Sequence, residues 1–352
     1  MSAAYDVIPV TLVTGFLGSG KSTLLSDVLQ GDVARDTAVL VNEFGAVGLD
    51  QMLVGSVDTR TVLLDQGCLC CSVRGELADS LVDLFSKRAR GEVQPFSRLV
   101  IETSGLAMPA PIIATLLADP AVSRHYVLNA TLTVVDAVNY ADQRDRHPEW
   151  LAQLTAADRV LVTKSDLVGS AELRILHEAL AVLNPAANVV VREPAMRTDD
   201  LLALLVAPAS ADDLIRRLGR SARISGSASV SGSLRQSRPM HREQLSAAPV
   251  EAFCLTFDEP LDWELFTLWL TMLLNRYGSQ ILRVKGVLWM SGSDRPAVIH
   301  AVHHLVHPVL HPELPADSPR TSVLVFIVED FDCGKLAASY SRFMDRLGKA
   351  AA

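Results

Sequence analysis

A glycine-rich segment near the start of the chain has the residue types and the spacing of a phosphate-binding loop. After the apolar run Pro9–Thr14, the sequence fits the pattern G-x-x-x-x-G-K-[ST] at every fixed position. Glycines permit the backbone conformations in which successive amides point at phosphate oxygens. We expect Lys21 to reach the β- and γ-phosphates, Ser22 to ligate Mg²⁺, and the helix beginning at Lys21 to place its positive end under the anion. The segment predicts a nucleoside triphosphate site formed by Gly15, Gly18, Ser19, Gly20, Lys21, Ser22 and Thr23.

The run Thr163-Lys164-Ser165-Asp166 ends a predicted strand and has the form [NT]-K-x-D of loops that recognise guanine. Asp166 can accept hydrogen bonds from the N1–H and N2–H₂ donors of guanine, and adenine offers no such pair of donors. Lys164 would lay its aliphatic stem along the base, and Thr163 stands where asparagine is commoner. Because the run follows a phosphate loop and lies at a strand end, we interpret it as a guanine site rather than as a surface turn that caps the next helix.

Two further predicted strands end at acidic residues. The run Leu-Val-Ile-Glu102 is followed by Gly105, a layout in which the acid lies beside Mg²⁺ or its water shell and the glycine amide follows the γ-phosphate; the alternative is an ordinary strand end and turn. Glu43 directly follows the strand Ala38–Asn42 and could approach Mg²⁺, the attacking water or a second metal. No Arg or Gln can be identified as a transition-state stabiliser, which predicts slow intrinsic hydrolysis that a partner or a metal accelerates. The predicted catalytic residues are Lys21, Glu43 and Glu102.

Three of the five cysteines stand within four positions, at Cys68, Cys70 and Cys71. Thiolates bind soft or borderline ions such as Zn²⁺, and a C-x-C-C run can present two or three sulfurs to one ion while leaving a position for a fourth ligand or a recipient protein. Such an incompletely closed site suits metal transfer better than a structural zinc. The alternatives are a group of small core residues and a redox switch. Cys254 and Cys333 lie in apolar, strand-like surroundings and are predicted to be core residues.

Five motifs follow one another along the chain: G-F-L-G-S-G-K-S-T, N-E-F-G, G-C-L-C-C-S, E-T-S-G and T-K-S-D. In this order they resemble the CobW and nitrile hydratase-activator family of P-loop GTPases, which belongs to the SIMIBI class with the urease and hydrogenase nickel-insertion GTPases. The resemblance extends into the C-terminal region, at Leu282-Arg-Val-Lys285-Gly286 and Val323–Val328. It implies a GTP-dependent metallochaperone whose metal ligands are Cys68, Cys70 and Cys71 and whose C-terminal domain contacts an apo-metalloprotein client.

The metal and the client stay open at this point. Because Zn²⁺ outcompetes Co²⁺ and Fe²⁺ at such ligands, the metal supply and the client protein decide which ion the site carries in the cell. The alternative is a cobalt- or iron-directed activator of nitrile hydratase or of the cobalamin pathway. The chain departs from its relatives at Ala46, where an acid is frequent, and in the linker, which holds His241 instead of a His-rich stretch. Five of the nine histidines fall instead within His300–His311. They could form a second metal relay, but we favour surface or hydrogen-bonded histidines.

The mechanism we expect is a two-state linkage between nucleotide and metal. GTP and Mg²⁺ would hold the segments Asn42–Asp50 and Gly67–Ser72 in a metal-loaded arrangement, and hydrolysis would loosen the thiolate site so that the ion passes to the client. A small-molecule kinase built on the same phosphate loop would leave T-K-S-D and C-L-C-C unexplained. A regulatory GTPase whose cysteines sense redox state is a second rival.

The elements that must position these residues alternate along the first 206 residues. This rhythm, with strands apolar at consecutive positions, predicts a P-loop NTPase domain with a mostly parallel sheet covered by helices on both faces. Ligands of such sheets bind beyond the carboxyl ends of the strands. Asp136 also ends a strand and is interpreted as a helix cap. The predicted strands are Pro9–Thr14, Ala38–Asn42, Thr61–Leu64, Arg98–Glu102, Leu132–Asp136, Arg159–Thr163 and Asn188–Val191, and the predicted helices are Lys21–Gln30, Arg74–Arg90, Pro111–Ala118, Glu149–Ala157, Ala171–Leu183 and Asp199–Val206.

The sequence predicts three regions: a GTPase domain over residues 1–210, a flexible Ser/Arg-rich linker over 211–248 and a smaller α+β domain over 249–347. From Leu214 to Ala248 the chain has eight Ser, seven Arg and a single acid, a composition with few apolar residues to offset ordering entropy. In the last region we predict strands at Val250–Phe257, Ile281–Met290, Ala297–His304 and Thr321–Val328, and helices at Trp263–Asn275 and Lys335–Leu347.

Composition excludes several classes of protein. The 352 residues are 49% apolar and carry a net charge of −8, so most of the chain can fold around cores, and the acidic balance argues against nucleic acid as a partner. No apolar run reaches the 18 or so residues of a membrane span, and the first residues lack the layout of a secretory signal. We therefore expect a cytoplasmic protein without a membrane partner, and leave open whether it forms a homo-oligomer.

Overall fold

The computed structural model describes residues 7–29, 36–42, 61–63, 73–207, 211–224, 228–229, 234–236, 250–315, 318 and 320–348. These residues fall into two compact units. The first consists of the described residues up to 177 together with 187–207, and the second of 178–186 together with the described residues from 211 onward.

The first unit is built on a seven-stranded sheet in which every neighbouring pair of strands is parallel. The strand order is β3-β2-β4-β1-β5-β6-β7. Since parallel strands run in one direction, all their carboxyl ends lie at one edge of the sheet. The predicted site residues of the described segments stand at or just after these strand ends in the sequence. The strands are β1 (Ile8–Thr14), β2 (Thr37–Asn42), β3 (Thr61–Leu63), β4 (Arg98–Thr103), β5 (Tyr126–Asp136), β6 (Arg159–Thr163) and β7 (Asn188–Val191).

Helices follow the strands, as parallel connections require. They are α1 (Lys21–Leu29), α2 (Val73–Arg90), α3 (Pro109–Ala118), α4 (Pro120–Ser123), α5 (Tyr140–Arg146), α6 (Pro148–Ala156), α7 (Ser170–Leu183) and α8 (Thr198–Val206). The prediction of a P-loop fold with a mostly parallel sheet is confirmed. The two short helices α4 and α5 were not predicted, because α4 has one turn, begun by the Asp119 side chain, and the seven residues of α5 are mostly polar.

The core beneath the phosphate loop determines where α1 begins. Leu24, Leu25 and Val28 on one face of α1 are buried against apolar residues of the central strands, among them Val13 and Leu132. Burial of a full Leu side chain stabilises a fold by about 1.5–3 kcal/mol. This packing anchors the first turn of α1, and with it Lys21 and Ser22, at the carboxyl end of β1.

β5 begins at Tyr126, six residues before the predicted start at Leu132. Asn129 and Thr131 interrupt the apolar pattern in this half of the strand, so the pattern did not predict that the strand begins this early. The residues are held from outside the strand: the Tyr126 hydroxyl donates to the Leu81 carbonyl at 3.0 Å, and the Thr131 amide donates to the Asp158 carboxylate at 2.9 Å.

The second unit contains a seven-stranded antiparallel sheet of order β13-β12-β11-β14-β10-β9-β8. Helices α10 (Trp263–Tyr277) and α11 (Cys333–Gly348) bury Phe266, Trp269 and Tyr340 in the core on one face. This confirms the predicted α+β domain and the core positions of Cys254 and Cys333. The strands are β8 (Ala228–Ser229), β9 (Leu234–Gln236), β10 (Val250–Phe257), β11 (Ile281–Leu288), β12 (Ala297–Val302), β13 (Leu305–Val306) and β14 (Ser322–Glu329).

The structure differs from the predicted linker over 211–248. Residues Ala211–Ile224 form helix α9, and Leu214, Ile215 and Leu218 are buried in a cluster with Val287 and Val325 of the sheet. Leu234–Gln236 pairs with β10 as strand β9. Averaging composition over 35 residues concealed the three apolar positions at helical spacing, which supply the burial that a flexible linker lacks.

The histidine cluster lies around a hairpin. β12 ends at Val302, and His303 turns the chain with a φ of 52° into β13. The rings of His300 and His307 lie 5.6 Å apart, centroid to centroid. Among the described residues, no group of three or more His, Cys, Asp or Glu side chains is arranged to hold a metal ion, and no helix is long and apolar enough to cross a membrane.

Candidate nucleotide-binding site

The phosphate loop connects β1 to α1, and its first glycine is required by close packing. Gly15 has a φ of 142°, and a β-carbon there would lie 2.3 Å from the Val134 carbonyl oxygen. A distance below 3.0 Å is a clash with backbone that has no room to move. Any side chain at position 15 would therefore push the loop away from β5 and displace the amides that follow it.

Lys21, the first residue of α1, is folded over the loop. Its ammonium donates hydrogen bonds to the carbonyls of Gly15 at 2.8 Å and Phe16 at 3.2 Å, and the residue is 8% exposed. A buried cation needs such partners. The two bonds hold the charge across the mouth of the loop.

Ser22 and Glu102 meet at the edge of the sheet. β1 and β4 are neighbours, with Val13 opposite Glu102, and the Ser22 hydroxyl donates to Glu102 Oε1 at 2.8 Å. Glu102 is 7% exposed. A hydroxyl and a carboxylate side by side are the oxygen donors that Mg²⁺ prefers. The residues present therefore fit a magnesium ion, which would neutralise phosphate charge here when bound.

Gly105 holds the segment after β4 against the phosphate loop. A β-carbon on Gly105 would lie 2.6 Å from the Leu17 amide nitrogen and 2.8 Å from Leu17 Cα. On its other side, Gln153 of α6 is fully buried and its Nε2 donates to the Gly105 carbonyl at 3.0 Å and the Ala107 carbonyl at 3.1 Å. The segment is thereby held on both sides next to the loop.

The end of β6 is tied to the same loop. Thr163 is buried, and its hydroxyl lies 2.7 Å from the Ser19 carbonyl and 3.2 Å from the Val135 carbonyl. Its neighbour Lys164 adopts a left-handed conformation with a φ of 56°. Asp166 follows in a short 3-10 turn and is exposed. Thr163 therefore connects the two halves of the site, and Asp166 presents its carboxylate to solvent beside them.

Asp136, interpreted from the sequence as a helix cap, has a second role. It accepts from the Val138 amide at 2.8 Å, as a cap does, but its other oxygen lies 2.7 Å from the Lys164 ammonium, and its side chain is 1% exposed. Burial by itself would raise the pKa of Asp136, but hydrogen bonds from Lys164, Asn139 and the Val138 amide outweigh burial and lower the pKa below its ordinary value. Asp136 thus fixes the position of the Lys164 ammonium at the end of β6.

The structure brings most of the predicted site residues to one edge of the sheet. These are Gly15, Gly18, Ser19, Gly20, Lys21, Ser22, Thr23, Glu102, Gly105, Thr163, Lys164 and Asp166. Glu43, Cys68, Cys70 and Cys71 lie outside the described residues. The sequence reasoning missed the positioning roles of Asp136 and Gln153. An acid at a strand end, the signal used for Glu102, was also present at Asp136.

Comparison with known proteins gives two family matches. The "CobW/HypB/UreG, nucleotide-binding domain" family matches residues 9–191, and the "Cobalamin synthesis protein cobW C-terminal domain" family matches residues 250–343. Between them they cover the sheets of both units with the exception of β8 and β9.

Individual relatives give the same picture. The chain is 43% identical to the zinc chaperone YjiA of Escherichia coli (strain K12) over 182 residues, which are 52% of this chain and 56% of that protein. It is 31% identical to the zinc-regulated GTPase metalloprotein activator 1 of Schizosaccharomyces pombe over 207 residues, 57% of this chain and 49% of that protein. The chain thus spans about half the length of the curated relatives it matches. The crystal structure of Zn(II)-bound YjiA GTPase from E. coli superposes with a TM-score of 0.67 at 28% identity, covering 96% of this chain and 99% of that one.

Proposed function

Because the chain belongs to the family of the CobW/HypB/UreG nucleotide-binding domain, we propose that it is a GTP-hydrolysing metallochaperone that binds zinc at Cys68, Cys70 and Cys71 and delivers it to an apo-metalloprotein. The observation that carries the GTPase half is the meeting of the phosphate loop, Glu102 and the Thr163–Asp166 run at one sheet edge. The names of the relatives, zinc chaperone and zinc-regulated GTPase, support the metal half.

The site residues have separate roles in nucleotide binding and hydrolysis. Lys21 neutralises the β- and γ-phosphates from above the loop. Ser22 with Glu102 would hold Mg²⁺, which would supply positive charge for the leaving group. Asp166 accepts the two donors of the guanine edge while Asp136 keeps Lys164 along the base. Gly105 lets its own backbone approach Leu17 without a clash, so that this segment can follow the presence or loss of the γ-phosphate.

The proposed metal site is placed near the nucleotide by the strand that precedes it in the chain. β3 pairs with β2, and β2 pairs with β4, which ends in Glu102 and Thr103. Cys68 follows the last residue of β3 by five positions. The cysteine trio therefore follows a strand whose carboxyl end belongs to the nucleotide edge, and Glu43 directly follows β2 in the same way. A cytoplasmic location fits, because a reducing compartment keeps the thiols available for metal.

The guanine assignment predicts that Asp166→Asn abolishes the preference for GTP over ATP. The amide nitrogen of Asn can donate but not accept, so one guanine donor is left without a partner, and a site built for a hydrogen bond loses about 10²-fold or more when the bond cannot form. Fluorescence titration with labelled GTP, in competition with ATP, measures the ratio of the two affinities.

Asp145→Asn is the matched control, because Asp145 is exposed on α5 and paired with Arg144. It should leave the ratio unchanged. If wild-type protein binds ATP as tightly as GTP, the guanine site is refuted and a kinase-like use of the loop takes its place.

A further inference from the structure

Helices α10 and α11 of the second unit border a groove that the nucleotide chemistry does not use. Its volume is 570 Å³, within the range of about 300–1,000 Å³ typical of binding pockets. Both helices contribute to its lining. Phe331, in the segment between β14 and α11, contributes to its wall.

Four cations line this groove. Lys335, Arg342 and Arg346 recur on α11 at intervals of seven and four residues, which places them on one face of the helix. Arg276 faces them from the last turn of α10. None of the described residues lining the groove is acidic, although Asp332 lies 3.8 Å from Lys335 at its margin. In a chain with a net charge of −8, this concentration of positive charge marks a surface for an anionic partner.

The walls between these cations are apolar and aromatic. Met272 lines the groove and is 57% exposed, and Leu268, one turn earlier on the same face of α10, is 50% exposed. Phe343 of α11 lines the groove from the other helix. Large apolar side chains displayed together next to a concave surface are typical of a protein interaction site.

Arg276 is held in place before any partner binds. Its Nε donates to the Tyr277 hydroxyl at 3.0 Å, and its guanidinium carbon lies 5.4 Å from the centroid of the Tyr277 ring. Tyr277 in turn packs edge-to-face on Phe331, with ring centroids 5.0 Å apart. A side chain fixed in this way loses little conformational entropy on binding, so its charge contributes more to affinity.

We propose that this groove binds an acidic amphipathic helix of a partner protein. Apolar side chains at i, i+3, i+4 and i+7 of that helix would contact Met272, Leu268 and Phe343, and its Asp or Glu side chains would pair with Arg276, Lys335 and Arg342. The groove is lined from both helices, so a third helix can contact both walls at once, and the four cations around it favour an acidic partner. This inference is independent of the proposed metal delivery.

The test uses a fluorescein-labelled helical peptide of about 18 residues, with Leu at the four apolar positions and Glu on both flanks. Two further peptides keep the length and label: one has Lys in place of every Glu, and one has the acidic sequence scrambled. Fluorescence anisotropy with the full-length chain should show the Glu peptide binding at least about tenfold more tightly than either of the others, and more weakly as salt rises.

The double variant Arg276→Glu/Arg342→Glu should weaken binding of the Glu peptide by at least about tenfold. Met272→Ser should weaken it without changing the salt dependence. The control with the same change in charge is Arg124→Glu/Arg174→Glu. Arg124 directly follows α4, Arg174 lies in α7, and both are exposed. This control should bind the Glu peptide as wild type does. Thermal melting of each variant verifies that it folds.

Three results would overturn the inference. The first is equal binding of the Glu and Lys peptides. The second is that the variant Arg276→Glu/Arg342→Glu binds the Glu peptide as tightly as the control variant does. The third is that the chain does not bind the peptide but binds phosphatidylserine vesicles or a second copy of itself, and that Arg276→Glu/Arg342→Glu abolishes this binding. The groove would then be a site for a lipid surface or for self-association.

Discussion

Lys21→Ala should lower the rate of GTP hydrolysis by about 10²- to 10³-fold, the loss seen when one preorganised donor to developing charge is removed, or about 2.7–4 kcal/mol of transition-state stabilisation. Lys21 is buried and held by the carbonyls of Gly15 and Phe16. Alanine removes this buried charge and both of its hydrogen bonds to the loop. Phosphate release under saturating GTP measures the effect.

Lys87→Ala is the matched control, because Lys87 is an exposed lysine on α2 whose ammonium pairs with Asp83 at 2.7 Å. It should leave the hydrolysis rate within about twofold, since surface ion pairs contribute little. A Lys21→Ala rate close to wild type would show that the loop does not support hydrolysis by phosphate neutralisation.

Replacing Cys68, Cys70 and Cys71 together by serine should lower the affinity for Zn²⁺ by at least about 10³-fold. A cysteine ligates zinc as its thiolate, whereas the hydroxyl of serine stays protonated at neutral pH. Competition with a chromogenic zinc chelator measures the affinity. In zinc-free buffer, GTP binding by the triple variant should stay within about twofold of wild type, which separates loss of the metal site from loss of the fold.

The two remaining cysteines give the control. Burial raises the pKa of Cys254 to about 12, and burial with the nearby Glu251 carboxylate raises the pKa of Cys333 to about 12, so both stay neutral thiols at pH 7. Cys254→Ala/Cys333→Ala should therefore bind Zn²⁺ as wild type does. If this double variant loses zinc and the triple serine variant keeps it, the metal site is misplaced.

The parts of the fold that the sequence predicts well are those determined by local patterns. Continuous apolar runs with an acid or a glycine at the end, such as the strand that ends in Glu102, indicated parallel strands and the edge at which they end. The start of α1 at Lys21 followed from the glycines before it and the apolar spacing of Leu24, Leu25 and Val28. These signals depend on neighbours within a few residues, so one sequence contains them.

The parts that were missed depend on distant partners. The pairing of Asp136 with Lys164 joins residues 28 positions apart and exists because β5 and β6 are neighbours. Gln153 reaches the Gly105 carbonyl across 48 positions. The burial of Leu214 and Leu218 depends on a sheet formed by later residues. Spacing does not identify the partners of Asp136 and Gln153, because these partners lie far away in the sequence. The helical spacing of Leu214 and Leu218 indicates a shared face, but not the sheet that covers it.

The proposed linkage between nucleotide and metal is measured as the affinity for Zn²⁺ of one preparation in two nucleotide states. The protein is saturated with Mg²⁺ and either a non-hydrolysable GTP analogue or GDP, and zinc is titrated against a chelator of known affinity. We expect the analogue-bound protein to hold zinc at least about tenfold more tightly, a coupling of about 1.4 kcal/mol. Equal affinity in the two states would contradict it, because a ligand that does not distinguish two states cannot shift the equilibrium between them.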